Sequence, residues 1–165
     1  MIRKFAIALC VLTVISANAL AQQPQAKINS AMSSSSSTSG ASQEKKSLYT
    51  RLGGYDAIAA VVDEFITRLA TDKRFEKFFT GFSDDSKKRL RQHILDQFCA
   101  AAGGPCVYTG REMRTSHKGL GITESDWDAA AKHLVAALDK YKVPETEKNE
   151  LLAFVVSQKK DIVDK

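Results

Sequence analysis

From Ile58 onward, apolar residues recur at steps of three and four, the period that gives a helix one buried stripe. Ile58, Val62, Phe65, Ile66 and Leu69 form the first stripe, and Thr71-Asp72 interrupts it. A short segment with Phe75, Phe78 and Phe79 follows. Ser83-Asp-Asp is a fitting cap for a longer helix with Leu90, Ile94, Phe98 and Ala101 on one face. Gly103-Gly-Pro105 stops that helix. Thr123-Glu-Ser-Asp126 reads as a capping box with aspartate in place of the usual glutamate. It opens a helix whose stripe is Trp127, Ala131, Leu134, Leu138 and Tyr141. Pro144 suits the first turn of a last helix that buries Leu151, Val155 and Ile162. Ahead of all of these, Gly53-Gly54 ends a short first helix. The pattern contains neither the two-residue alternation of strands nor an internal repeat, so the fold class it predicts is all-α.

The first 46 residues lie outside this pattern. A basic start, Met1-Ile-Arg-Lys4, precedes an apolar run from Phe5 to Ala17, which is too short to span a bilayer comfortably. Ala19-Leu20-Ala21 then offers a small-residue cleavage site. Residues 1–21 read as a secretory signal peptide cut after Ala21, with an uncleaved anchor as the alternative. The expected location is periplasmic or secreted, with no stable membrane span after cleavage. Residues 22–46 hold Ser33-Ser-Ser-Ser-Ser-Thr-Ser-Gly and no apolar period. Such a stretch buries too little surface to offset its ordering entropy and is expected to be a disordered linker. The folding domain is therefore expected over residues 47–165.

Arg3 and Lys4 leave with the signal peptide, so the 24 basic residues become 22 against 19 acids. A net charge near +3 is too mild to indicate a nucleic-acid partner. The basic cluster Lys87-Lys-Arg-Leu-Arg91 has two readings, a solvated helix face or a partner for anionic groups at the rim of a pocket.

Met113 and His117 are spaced four apart and fall on one face of a helical turn. A neutral imidazole is the commonest metal ligand, and a soft thioether beside it suits a flat apolar partner. Around them stand Leu48-Tyr-Thr-Arg-Leu-Gly-Gly-Tyr-Asp-Ala-Ile58, Phe78-Phe79-Thr-Gly, Ala101-Ala-Gly-Gly-Pro105, Tyr108-Thr-Gly110 and the His117-Lys-Gly-Leu-Gly-Ile122 segment. In this order and at these distances they resemble a group 1 truncated haemoglobin, over roughly Ser47 to Lys165. The resemblance implies the truncated globin fold, a two-over-two helical sandwich around a non-covalent haem b. It implies His117 as the proximal iron ligand and porphyrin contacts from Met113, Phe79, Tyr108, Leu90, Ile94, Ile122 and Trp127. The aromatic residues packing against one another is the alternative reading of Phe79, Tyr108 and Trp127. A modest core of short helices gains from such a filler, since a bound group adds its binding energy to folding.

The sequence departs from that family on the distal side. Group 1 globins usually carry a tyrosine after a phenylalanine on the second helix and a glutamine after a His or Lys on the long distal helix. Here Phe65 is followed by Ile66, and His93 by Ile94. Isoleucine donates no hydrogen bond. Gln97 is a candidate substitute donor, expected to point elsewhere. His93 is a possible distal ligand, as a histidine there is in some relatives, or else it faces a propionate or solvent. His133 reads as a surface or packing residue. Ser157-Gln-Lys-Lys has no match for the histidine that some relatives use for covalent haem attachment.

After cleavage only Cys99 and Cys106 remain. Export would place them in an oxidising space, where they form a disulfide, or Cys99 packs as a small apolar group. The leading functional expectation is an exported haem globin that binds dioxygen or another diatomic gas such as nitric oxide. It would serve as an oxygen carrier or, with an unknown reductant, in nitric oxide detoxification. A bis-histidine electron carrier or redox sensor is the alternative within haem chemistry. A haem-free helical interaction module is the alternative from another class.

Overall fold

The structure is a computed structural model that describes residues 46–164. The signal peptide and the linker expected over residues 1–46 fall outside the described residues apart from Lys46. Eight helices occupy the described span, in the order α1 (Leu48–Arg51), α2 (Gly54–Thr71), α3 (Glu76–Phe79), α4 (Asp84–Ala101), α5 (Met113–His117), α6 (Glu124–Lys140), α7 (Glu145–Ser157) and α8 (Lys159–Ile162). No strand occurs among the described residues, and none of their helices is long and apolar enough to cross a membrane.

The long helix α2 is the centre of the packing, with α4 and α6 laid against it. It buries Ile58, Val61 and Val62. From α4 come Leu95 and Phe98, from α6 Leu134, Ala137 and Leu138, and from α7 Leu151, all in one continuous cluster. Leu95, Leu134, Leu138 and Val62 are fully buried. Such side chains contribute roughly 1.5–3 kcal/mol each in area removed from water.

The caps lie where the local spacing puts them. The Ser83 hydroxyl accepts from the Ser86 N–H and starts α4. Thr123 and Asp126 form the reciprocal capping box at α6. The Thr123 N–H and hydroxyl also hold the buried Asp126 carboxyl below its ordinary range.

Three expectations need correction. The apolar face predicted for α4 is not its core face. Leu95, Phe98, Cys99 and Ala102 point into the core, Leu90 and Ile94 are only half-buried, and Ala101 is exposed. Two apolar faces on one helix gave the period more than one solution. Tyr141 is 45% exposed because it is the C-cap of α6, beyond the last turn that faces α2. Pro144 is the N-cap of α7 rather than a first-turn residue: its backbone is extended, and its carbonyl accepts from the Lys148 N–H at 2.9 Å. The last helix also divides at Gln158, whose N–H bonds back three residues to Val155.

Lys148 is buried, which the apolar pattern did not indicate. Its ammonium meets Asp139 at 2.5 Å and Glu145 at 2.6 Å, and these two carboxylates hold its pKa above the ordinary value. The lysine thereby joins the end of α6 to the start of α7.

Cys99 and Cys106 form a disulfide, with Cα atoms 5.7 Å apart. The bridge folds the Gly103-Gly104-Pro105 turn back onto α4. Gly104 is required there: a Cβ would stand 2.4 Å from the Tyr49 ring and 2.7 Å from Cys99 Sγ. The same turn is tied to α1, where the Tyr49 N–H donates to the Ala102 carbonyl at 2.7 Å. Closing so short a loop limits the unfolded chain by about 2–3 kcal/mol. A Cys106→Ser variant should lose about that much stability in urea unfolding, with an unchanged denaturant slope. A loss below about 0.5 kcal/mol would show that the bridge adds little to the turn's own packing.

Candidate functional site

Helix α5 is five residues long, too short to be stable without tertiary support. Its support comes from the C-terminal end. Its main neighbour is α8. Both Arg114 Nε and Nη2 donate to Asp161, at 3.0 and 2.5 Å. Past the helix, the Gly121 N–H donates to the Asp164 carboxylate at 2.7 Å, and the Asp164 N–H donates to the Ile122 carbonyl at 2.9 Å.

The half-buried His117 sits at the end of this short helix with Nδ1 2.8 Å from the Met113 carbonyl oxygen. A carbonyl only accepts, so Nδ1 carries the proton. In a neutral imidazole Nε2 is then left with a free lone pair. This is the arrangement in which a protein carbonyl orients a ligating histidine and raises its basicity. The i, i+4 spacing of Met113 and His117 is thus used twice, once to share a face and once to fix the tautomer.

A cavity of about 660 Å³ opens beside α5. Met113 and Tyr108 line it, with Gln97 from α4 and Gln158 and Asp161 from the C-terminal end. Gln97 therefore lines this cavity, which neither His117 nor His93 reaches. The Tyr108 ring lies folded over Gly110, where a Cβ would come within 2.4 Å of the phenol. Its hydroxyl donates to the Arg111 carbonyl at 2.6 Å, and burial pushes its pKa up. That geometry accounts for the Tyr-x-Gly motif.

His93, on α4, meets Tyr108 edge-to-face with ring centroids 6.0 Å apart. Its Nδ1 is buried and has no hydrogen-bond partner. A buried polar atom in that condition costs on the order of 1–3 kcal/mol. One turn of helix separates Leu90 from Ile94, and both are half-buried on the same side of α4. Ile66 and Ile94 pack against the core cluster and present no donor.

The other expected contact residues make contacts of their own. Phe79 packs edge-to-face with Phe82. Trp127 is buried in the first turn of α6 with the Lys159 ammonium 5.9 Å above its ring. Ile122 is half-buried behind α5. Arg91 forms a two-point pair with Asp63 of α2, at 2.5 and 2.8 Å, while Lys87 and Lys88 reach back to Asp84 and Asp85. These pairings agree with the solvated-face reading of the basic run. His133 packs on Phe75, and its Nε2 lies 2.8 Å from Asp72, whose carboxyl is held low chiefly by that bond. The sequence reading missed Gln158 and Asp161. Asp161 meets Arg114 across 47 residues, and no local signal marks such a pair.

Among the described residues, no three His, Cys, Asp or Glu side chains gather as a metal cage. A single oriented imidazole fits a metal that brings its other ligands with it, as in a macrocycle. The thioether, the phenol ring and the half-buried apolar side of α4 fit the flat faces of such a group.

A family model described as bacterial-like globin matches residues 47–164. A group 1 truncated hemoglobin of Mycolicibacterium paratuberculosis is 38% identical over 112 residues, covering 68% of this chain and 80% of the relative. The ferric truncated hemoglobin of Tetrahymena pyriformis superposes with a TM-score of 0.66 at 28% identity, over 73% of this chain and all of the other. The 2/2 hemoglobin of Synechococcus sp. PCC 7002, solved in the cyanomet state with covalently attached heme, gives 0.65 at 29% identity over the same shares. The two-over-two helical architecture expected from the motifs is therefore the observed one, and the chain belongs to the bacterial-like globins as a group 1 truncated haemoglobin.

Proposed function

We propose that this protein is an exported globin that holds a non-covalent haem b and reversibly binds small diatomic ligands, dioxygen or nitric oxide. The observation that carries the reading is the 2.8 Å contact between His117 Nδ1 and the Met113 carbonyl, which leaves Nε2 free to ligate. A haem held by His117 would supply an iron that binds the gas. Met113 and Tyr108 support the ring faces, together with Leu90, Ile94, Phe79, Ile122 and Trp127. Non-covalent attachment is favoured because Cys99 and Cys106 are spent in the disulfide and no histidine follows His133.

Ile66 and Ile94 shape a distal side that excludes water but donates nothing to a polarised ligand. Nitric oxide dioxygenation needs a long-lived oxygen complex and a reductant, so reversible gas binding is better supported than catalysis. A second reading has its own observation. The unpartnered Nδ1 of His93, held inside against Tyr108, favours a histidine that engages the haem and an electron-transfer or redox-sensing role.

His117→Ala should abolish tight haem binding in the mature protein, read as loss of the Soret band at equal protein concentration. Retention of a normal five-coordinate spectrum would place the ligand elsewhere.

A typical net hydrogen bond is worth about 1 kcal/mol, and more to a charged acceptor. Two absent donors therefore predict dioxygen release faster than in tyrosine- and glutamine-bearing relatives by roughly one to three orders of magnitude. The double variant Ile66→Tyr, Ile94→Gln should slow dioxygen release in stopped flow and leave carbon monoxide nearly unchanged. Slow release in the native protein that persists in His93→Ala would assign the donor to another side chain, Gln97 being the candidate on α4, and would refute the apolar-pocket reading.

Export rests on the basic start, the apolar run and Ala19-Leu-Ala21. The mature N-terminus is expected at Gln22, by intact-mass measurement of periplasmic or culture-fluid material. A soluble cytoplasmic pool that keeps Met1 would overturn it.

A further inference from the structure

The disulfide closes residues 99–106 into a loop that stands between His93 and Tyr108 in the chain. Cys99 lies six residues after His93 on α4 and is fully buried. Its partner Cys106 lies two residues before Tyr108. The loop from Cys106 to α5 is therefore fastened to α4 at the point where Tyr108 reaches His93.

Three further observations fix the Tyr108 ring within that loop. It is folded over Gly110, which leaves room for no side chain. Its hydroxyl proton is committed to the Arg111 carbonyl, so it has none to donate to His93. It meets His93 edge-to-face, and the His93 Nδ1 is buried without a hydrogen-bond partner. An imidazole nitrogen free to move would turn to water. Something must hold this ring inside, and among the contacts the structure shows for His93, the aromatic one is to Tyr108.

From this geometry we infer that Tyr108 is a positioning residue for His93, held in place by the Cys99–Cys106 bridge. The aromatic ring acts as a stop that keeps the imidazole inside the pocket. The bridge keeps the stop in place. Opening the bridge, by a dithiol that delivers two electrons and two protons and is itself oxidised to a cyclic disulfide, gives two thiols and a loop free to lift away. His93 is then released toward solvent. The inference rests on the haem reading only where it concerns iron, because the placement of His93 is a property of the polypeptide.

The test uses the mature ferric protein and its variants Cys106→Ser, Tyr108→Ala and Tyr108→Phe. Each is treated with diethyl pyrocarbonate, and carbethoxylation is mapped to individual histidines by peptide mass spectrometry. In the parent, His93 should react slowly. Cys106→Ser and Tyr108→Ala should speed its modification by roughly tenfold or more, as expected for a segment that opens locally once its tether or packing is lost. Tyr108→Phe keeps the ring and loses only its bond to Arg111, so it should stay much closer to the parent than Tyr108→Ala. His133, paired with Asp72, is the internal control: its rate should not change, whereas general unfolding would raise both. The visible spectrum is the second readout. Any low-spin, six-coordinate fraction that His93→Ala removes should shift in Cys106→Ser and Tyr108→Ala, and not in Tyr108→Phe. Unchanged His93 reactivity in both disrupting variants, or a rise shared equally by His133, overturns the inference. Absence of a Soret band in the parent would instead refute the haem reading, and the reactivity measurement would still decide the role of Tyr108.

Discussion

A carbonyl oxygen accepts hydrogen bonds and never donates them, and the pairing of His117 Nδ1 with the Met113 carbonyl turns that into chemistry. It settles which ring nitrogen is protonated and leaves the other with a free lone pair. Everything else around α5 acts to keep five residues of helix in the position where that bond forms. A helix of this length has almost no stability of its own. Its shape depends on the Arg114–Asp161 pair and the Asp164 clasp, which are contributed by the far end of the chain.

The distal side is organised by a different means. There the half-buried face of α4 is not covered by packing in the way its core face is, and the constraint is covalent. The disulfide pins the Gly-Gly-Pro turn to the helix that carries His93, while Tyr49 and Tyr108 fill the spaces left by Gly104 and Gly110. The two glycines are there for the rings, so the turn and the pocket wall are one piece of packing. This also explains how an apolar site retains a buried nitrogen without a partner. The packing around it is stiff enough to sustain the cost.

Features set by residues close in sequence were legible before any coordinates. The Thr123–Asp126 capping box and the Ser83 cap depend on three-residue spacings, and both formed. So did the stop at Gly103-Gly104. The order of motifs sufficed for the fold. Periodicity failed on α4, where a second apolar face at Leu90 and Ile94 competes with the core face at Leu95, Phe98 and Ala102. It also could not anticipate Lys148, because a buried ammonium is tolerated only when its two carboxylates are known to be near. The disulfide stayed open in the sequence for a related reason. Seven residues of separation permit many distances, and the turn geometry selects 5.7 Å. Gln97, Gln158 and Asp161 enter the cavity through tertiary contacts to which no local spacing responds.

The clasp at Asp164 has a practical side. Its carboxylate and its N–H both hold the strand of chain that leaves the His117 helix. Anything attached at this residue begins beside the His117 segment. An affinity tag or fluorophore placed there would perturb the very region it is meant to report on. A tag ahead of Ala21 would be lost if the leader is cleaved. The serine-rich stretch between Gln22 and Lys46 is therefore the sensible place to attach a label.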